Sequence, residues 1–388
     1  MTAVLLTLIA VSFVLSFLLT LAMKRVAPKI GFVDKPGHRK IHTNPKPLGG
    51  GVAIVWAFVL PLIAGLVWIN FNAEPDRGAR TYRFIYDVLT HSPYVNNTDP
   101  AHDSLGAYWS GIQQQTPLAI AFIAGCLALH AIGLIDDKKA LGPYLKLAVQ
   151  LGVTLALVLI GDLRILTALG NTPSIILTVL WITAITNAFN FLDNMDGLSA
   201  GIAAVATTAF LITAISIGQW FVAGSLALLL GSLTGFLCFN FPPASIFMGD
   251  SGSTVIGFIL GVLTVRTTFL PHDADFKTGW YATLAPVIVL AVPLYDLIVV
   301  SMIRISRGKS PFVGDTNHFS HRLVARGMSK RTAVLCLWLL TAATAIAAII
   351  LPQVRSGFGA ALIGAQTMLV LGVVALLEQH PIASPKSP

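Results

Sequence analysis

The sequence is short of charge. Lys, Arg, Asp and Glu make up 11% of its 388 residues, against roughly 25% in an ordinary soluble domain. A water-soluble globule would have too few ionised side chains to cover its surface, so a typical cytosolic enzyme is excluded. Cysteine is scarce too. Cys126, Cys238 and Cys336 each sit in an apolar run without ligand spacing, so neither a secreted disulfide scaffold nor a cysteine metal site is indicated. The alternating pattern of barrel strands is missing, which leaves helices as the spanning element. No internal repeat of the kind that marks inverted-symmetry transporters is evident. What is present is 55% hydrophobic residues and a mean hydropathy of +0.79. That combination belongs to an integral membrane protein of several spans.

Residues 3–22 form an apolar run long enough to cross a bilayer, and lack the basic leader and small-residue cleavage site of a removable signal peptide. Further apolar runs lie near 48–69, 117–135, 144–161, 174–191, 198–217, 219–239, 252–270, 281–301, 332–351 and 358–377. The expected fold is all-α, a polytopic membrane protein with about 11 transmembrane helices. Lys24 and Arg25 follow the first run, which puts the N-terminus outside, and an odd span count puts the C-terminus in the cytoplasm. The expected organisation is a single transmembrane domain over 1–388. It has an extracytoplasmic loop insertion at 70–116, a cytoplasmic His/Arg loop at 302–331 and a cytoplasmic tail at 378–388. The net charge of +8 fits this topology, because basic residues crowd 23–47 and 302–331, both inside. No nucleic-acid recognition motif accompanies it, and no nucleic-acid partner is expected.

Acidic residues recur at the edges of the spans, on one side. Asp136 and Asp137 end the third span in GLIDDKKALGPYLKL, where Lys146 opens the fourth. Adjacent side chains on a helix diverge by about 100°. One of the two carboxylates is therefore expected to address a reacting group and the other a metal or a neighbouring lysine. Lys146 either reaches a phosphate or snorkels to the interface. In NAFNFLDNMDGLSAG, Asn187, Asn190 and Asn194 share one helical face, and Asp193 and Asp196 follow. Amides at that depth either bind ligand hydroxyls or bridge helices. In FMGDSGS, Gly249 and Gly252 flank Asp250 at a helix start, either a phosphate-binding turn or a cap. Asp296 lies within the ninth span. The stretch PFVGDTNHFSHRL carries His318, His321 and Arg322 as phosphate donors, with Asp315 available to orient a histidine. Gly49, Gly50 and Gly51 allow close backbone approach after a basic turn, or are flexible loop residues. Clustered carboxylates would repel a diphosphate unless a divalent cation bridges them. Oxygen-only ligands beside phosphate favour Mg²⁺ or Mn²⁺.

Taken together, DD…K, NxxNxxDxxDG, GDSGS and the late histidine segment resemble the polyprenyl-phosphate N-acetylhexosamine-1-phosphate transferases (glycosyltransferase family 4). Among these they point to the bacterial undecaprenyl-phosphate GlcNAc-1-phosphate enzymes. The resemblance runs from about residue 31 to 331. It implies attack by a polyprenyl phosphate oxygen on the β-phosphorus of a UDP-sugar, with release of UMP, as the first step of a lipid-linked cell-envelope glycan. It also implies a cytoplasmic active site in the inner membrane. The partners would be a UDP-sugar, a polyprenyl phosphate and the bilayer, and a homodimer is one assembly the sequence permits. By the same resemblance Asp250 is the Mg²⁺ ligand, and Asp136 is the base or orienter for the lipid phosphate. Asp137 and Lys146 flank that site. Asn190, Asp193 and Asp196 lie on the nucleotide side, and His321 and Arg322 match the end of the family's H-x-H-H-R.

Two positions depart from the pattern. Ser320 stands where the family has a histidine, and Asn194 where many bacterial relatives have glycine. On sequence alone a histidine at 320 is expected to be tolerated or mildly activating. A transporter for a phosphorylated solute would place its acids at the membrane midplane, whereas these sit at one edge. A catalytically silent scaffold of a glycan-assembly complex is the remaining alternative.

Overall fold

The computed structural model describes residues 1–34, 45–71, 115–267, 269, 279–311 and 317–379, with the side chains of 69–71 and 379 excepted. Thirteen α-helices carry the described chain: α1 Thr2–Val26, α2 Gly50–Phe71, α3 Thr116–Lys138, α4 Pro143–Gly161, α5 Asn171–Leu192, α6 Leu198–Ser216, α7 Trp220–Asn240, α8 Asp250–Arg266, α9 Ala285–Val289, α10 Ala291–Ser306, α11 Phe319–Ala325, α12 Lys330–Ile350 and α13 Gly357–Gln379. A two-residue antiparallel ribbon, β1 Val33–Asp34 with β2 Lys46–Pro47, precedes α2.

Among the described residues nine helical segments are long and apolar enough to cross a bilayer, and a bent pair makes a tenth. That pair joins Trp280–Val289 to Ala291–Ser306 at 66°. The remaining apolar run, expected near 252–270, is α8. At 17 residues it is about 25 Å long, slightly less than the hydrocarbon core. Its residues from Ser251 to Thr264 are all buried. The molecule is thus an all-α membrane protein built around one shorter central helix. The expected insertion at 70–116 lies almost wholly outside the described residues. The 302–331 segment begins inside α10 and contains the short helix α11, so it is partly ordered helix.

Apolar side chains gain little from meeting one another in lipid, so close backbone approach and hydrogen bonds decide which helices pair. α1 and α7 show this. Gly231 and Gly235 of α7 lie against α1 so tightly that a Cβ on Gly231 would stand 2.3 Å from the Ile9 carbonyl oxygen, and one on Gly235 2.5 Å from that of Phe13. Across the same seam Ser12 donates to the Leu228 carbonyl at 2.7 Å and Ser16 to the Ser232 carbonyl at 2.6 Å. α8 repeats the device: Gly257 and Gly261 rest on Thr186 and Ile182 of α5. Gly201 of α6 leaves room for the Trp338 ring of α12, which explains the last glycine of DGLSAG as a packing residue.

Large exposed side chains such as Leu159, Leu339, Ile346 and Leu369 form the lipid-facing surface. The connections alternate so that α3, α5, α7, α10 and α13 finish at the same end of the bundle at which α2, α4, α6, α8 and α12 begin. Contacts tie that end together: Lys46 donates to the Ala244 carbonyl at 2.8 Å, and Arg331 to the Pro242 carbonyl at 2.8 Å.

The packing gives a direct test. Gly231→Ala forces α1 off α7 and is expected to destabilise by about 1–3 kcal/mol, the usual effect of overpacking. Gly364→Ala in α13, with nothing near its added methyl, is expected to be neutral or stabilising by up to about 1 kcal/mol. Thermal midpoints of the detergent-solubilised variants compare the two; equal midpoints would refute the close-packed seam.

Candidate active site at the helix ends

The carboxylates and Lys146 meet where α3, α4, α5 and α8 converge. Asp137, in the last turn of α3, accepts from the backbone N–H of Asp250 at 2.7 Å and of Ser251 at 3.2 Å. A helix start carries unsatisfied N–H groups and the positive end of its dipole, so a carboxylate there is favourable. Gly249 makes the approach feasible. Its φ is +77°, and a Cβ would lie 2.5 Å from the Asp137 carboxylate. The phosphate-binding turn considered for GDSGS is therefore closed by protein. Its leading N–H groups go to Asp137, and those of Gly252 and Ser253 to the Gly249 carbonyl at 3.1 Å each. Asp137 of α3 thus caps the start of α8, which has no capping side chain of its own.

Asp136, one residue earlier, points elsewhere. It accepts from the Leu141 N–H at 2.6 Å and from Lys146 Nζ at 3.0 Å. Lys146 also donates to Asp250 at 2.6 Å. One ammonium therefore bridges carboxylates from α3 and α8. The Asp136–Lys146 pairing is the carboxylate–lysine partnership expected for one of the two adjacent acids.

Asp193 terminates α5 and faces the same cluster. Removal from water raises its proton affinity well above the usual carboxylate range, and the charges of Asp250, Asp137 and Asp196 add to this, while the Gly249 N–H works the other way. The residue keeps partial surface exposure. Asn190 donates to Ser253 at 3.0 Å, linking α5 to the start of α8. Asn187 is engaged between helices, donating to Gln150 of α4 and the Thr183 carbonyl, both at 2.8 Å. Asp196 accepts the Ala244 N–H at 2.9 Å and holds the 242–248 loop. That loop reaches back to α2: Gly50 and Gly51 donate their N–H groups to the carbonyls of Phe247 and Met248, both at 2.9 Å. A Cβ on Gly51 would stand 2.4 Å from the Gly252 nitrogen. All three glycines serve close approach: Gly49 to Met23 and Phe32, Gly50 to Phe236 and the Phe247 carbonyl, and Gly51 to α8.

The histidine segment packs beside this cluster. His318 is 4% exposed. Its Nδ1 faces Asp296 of α10 at 2.8 Å, and its Nε2 faces Arg304 at 3.2 Å. Asp296 also accepts the Phe319 N–H at 2.7 Å. The orienting carboxylate of His318 is thus Asp296; Asp315 lies outside the described residues. Arg304, 1% exposed, stacks over Phe191 at 4.8 Å and donates to the Pro311 carbonyl. His318 is a buried structural histidine. His321 is partly exposed, its ring 6.5 Å from that of His318. Arg322 donates to Glu378 of α13 at 2.5 Å and to the Asn317 carbonyl; Tyr295 donates to the same Glu378 at 3.3 Å.

Sequence reasoning passed over Gln150, Arg304, Tyr295 and Glu378. Gln150 is a polar group within an apolar run, and that is the available signal. Arg304 counts among the basic residues of 302–331, and Glu378 opens the expected tail at 378–388, although α13 runs through it. Among the described residues no three His, Cys, Asp or Glu side chains close around one point as a protein-only metal cage would.

Comparison with known proteins agrees with this arrangement. Residues 119–268, which span α3 to α8, match the family described as glycosyl transferase family 4. A Bacillus subtilis protein named “Probable undecaprenyl-phosphate N-acetylglucosaminyl 1-phosphate transferase” is 30% identical over 355 residues, covering 88% of this chain and 85% of its own. The Mycobacterium tuberculosis “Decaprenyl-phosphate N-acetylglucosaminephosphotransferase” is 30% identical over 351 residues, 84% of this chain and 77% of its own. The Escherichia coli K12 “Undecaprenyl-phosphate alpha-N-acetylglucosaminyl 1-phosphate transferase” is 25% identical over 333 residues, 82% of this chain and 76% of its own. With that coverage, and with the motif residues gathered at one end of the bundle, the chain belongs to the polyprenyl-phosphate N-acetylhexosamine-1-phosphate transferases of glycosyl transferase family 4.

Proposed function

We propose that this enzyme transfers N-acetylglucosamine 1-phosphate from UDP-GlcNAc to undecaprenyl phosphate, on the cytoplasmic side of a bacterial inner membrane, releasing UMP. The observation that carries this reading is the gathering at the helix ends of Asp136 and Asp250 on Lys146, with Asp137 on the N–H groups that open α8 and Asp193 beside them. That is the level at which a lipid phosphate and a soluble nucleotide can meet. The described basic residues at this end, among them Lys24, Arg25, Lys46, Arg322 and Arg331, support its cytoplasmic orientation.

In the proposed reaction a lipid phosphate oxygen forms a bond to the β-phosphorus as the bond from that phosphorus to the α-phosphate-bridging oxygen breaks, so that UMP departs with the electron pair. A phosphate nucleophile is already anionic near neutral pH. Phosphoryl transfer depends mainly on positioning and charge neutralisation. Both oxygens of Asp136 are engaged, one by Leu141 and one by Lys146. This supports Asp136 as the residue that orients Lys146, which in turn meets the phosphates. Asp137 fixes the start of α8 and so the place of Asp250.

The donor set suits Mg²⁺ or Mn²⁺. Such a cation is commonly held by one or two carboxylates plus substrate phosphate and water, without a protein-only cage. Asp250 and Asp193 are the oxygens in position to hold it, and when bound it would neutralise charge on the diphosphate. Burial is the main cause of the raised proton affinity of Asp193, and the neighbouring carboxylate charges that add to it are what a divalent cation would offset.

The reading is tested with purified protein, undecaprenyl phosphate, Mg²⁺ and labelled UDP-GlcNAc. Label is expected in the organic phase with stoichiometric UMP; no lipid-borne label from any UDP-N-acetylhexosamine would refute the reading. EDTA is expected to abolish turnover. Asp250→Asn is expected to lower the rate by about tenfold to over a hundredfold, the effect of losing a charge-assisted contact in the transition state. Wild-type turnover in either case would remove Asp250 from the metal role.

The raised proton affinity of Asp193 sets the sign of a stability effect. The folded state prefers the protonated carboxyl. Its contribution is therefore full below the ordinary carboxylate range, and is lost as pH rises through the raised folded-state value. In EDTA, Asp193→Asn is expected to gain thermal stability relative to wild type as pH goes from about 5 to about 8, and Mg²⁺ to shrink that gain. A difference that stays constant over this range would show that Asp193 does not titrate as described.

A further inference from the structure

The two departures from the family pattern meet each other. Ser320 in α11 is 1% exposed, and its hydroxyl donates to Asn194 Oδ1 at 2.6 Å across 126 residues of sequence. The Asn194 amide nitrogen donates to the Phe191 carbonyl at 2.6 Å, so the end of α5 fixes which way the amide faces. Asn194 directly follows Asp193, and Ser320 directly precedes His321. The other described anchors of α11 run elsewhere: His318 and Phe319 to Asp296 of α10, and Arg322 to Glu378 of α13. The Ser320 bond alone among these joins α11 to the turn that carries Asp193.

We propose that Asn194 and Ser320 form a latch that sets the position of His321 relative to the carboxylate cluster, so that both are positioning residues for the transfer reaction. The proposal rests on the transferase reading above. A buried hydroxyl–amide bond is short and directional, and unlike a surface ion pair it is not weakened by salt. It ties the backbone on one side of the cleft to the backbone on the other, one residue from each group it places. The latch also reverses the sequence-based expectation for position 320. An imidazole there has to displace Asn194, so Ser320→His alone is damaging, and Asn194→Gly in the same chain makes room for it.

The test is a cycle with His321. Ser320→Ala keeps the volume and removes the donor. It is expected to lower kcat by about three- to tenfold, the range for one neutral hydrogen bond acting through the transition state. KM for the UDP-sugar is expected to stay near wild type. In a His321→Ala background the same change is expected to have no further effect, because the latch acts through that histidine. Ser320→His is expected to fall below Ser320→Ala, and the pair Ser320→His with Asn194→Gly to recover. An unchanged kcat in Ser320→Ala, or an equal loss in both backgrounds, overturns the latch. Hydrogen exchange of the 317–325 peptide gives a readout independent of turnover. Ser320→Ala is expected to speed exchange there with the thermal midpoint nearly unchanged, and unaltered exchange overturns the latch. Wild-type protein that shows the exchange effect but transfers no sugar phosphate would refute the transferase reading while leaving the Asn194–Ser320 link standing.

Discussion

The site depends on the carboxylate of Asp137 accepting two N–H groups at the start of α8. A helix ending in carbonyls and a helix beginning in unsatisfied N–H groups have no reason of their own to adjoin. One carboxylate supplies the reason, since it answers both the orphan donors and the positive end of the dipole. With α8 pinned to α3, Asp250 comes within reach of Lys146, and Lys146 within reach of Asp136. The same pin places Gly249 beside Asp193. Remove the acceptor and the cluster loses its geometry before it loses any other charge.

That pin works only because the neighbouring backbones come unusually close. Gly51 and Gly133 each meet the first turn of α8 at distances no side chain could share, and Gly252 meets Met248 and Gly51 in the same way. In water, burial of apolar area would bring helices together and side chains could fill the gaps. In lipid that drive is weak, and small residues with a few interhelical hydrogen bonds carry the association. The motif glycines are therefore as much packing as chemistry, and the stability of the bundle and the shape of the site share the same residues.

The spans were legible because each needs a long apolar run, and such a run leaves no alternative reading in a chain this poor in charge. Two runs hide their structure: α8 is a short buried post whose apolar run continues past its last turn, and the run at 281–301 is a helix pair bent by 66°. The motif residues were legible as a group because their types are costly at a membrane edge. Their partners were not, because a partner on another helix leaves no trace in local spacing. Arg322 has a carboxylate partner, Glu378, 56 residues on. His318 has one in Asp296, 22 residues back in an apolar helix. Asn187 shares a helical face with Asn190, yet one amide goes to α4 and the other to α8. A face common to two side chains does not give them a common target.

The bond between Arg322 and Glu378 bears on where the working unit ends. α13 is mostly lipid-facing, and by burial alone it resembles a dispensable appendage. A chain cut after α12 would retain every acid of the cluster, the lysine and both histidines. It would also leave a largely enclosed guanidinium without its counterion, and Tyr295 without its acceptor. An uncompensated cation in so dry a place is costly, and α11 would have to shift to rehydrate it. The C-terminal helix therefore belongs to the catalytic unit through a single terminal glutamate, although it contributes no group to the chemistry.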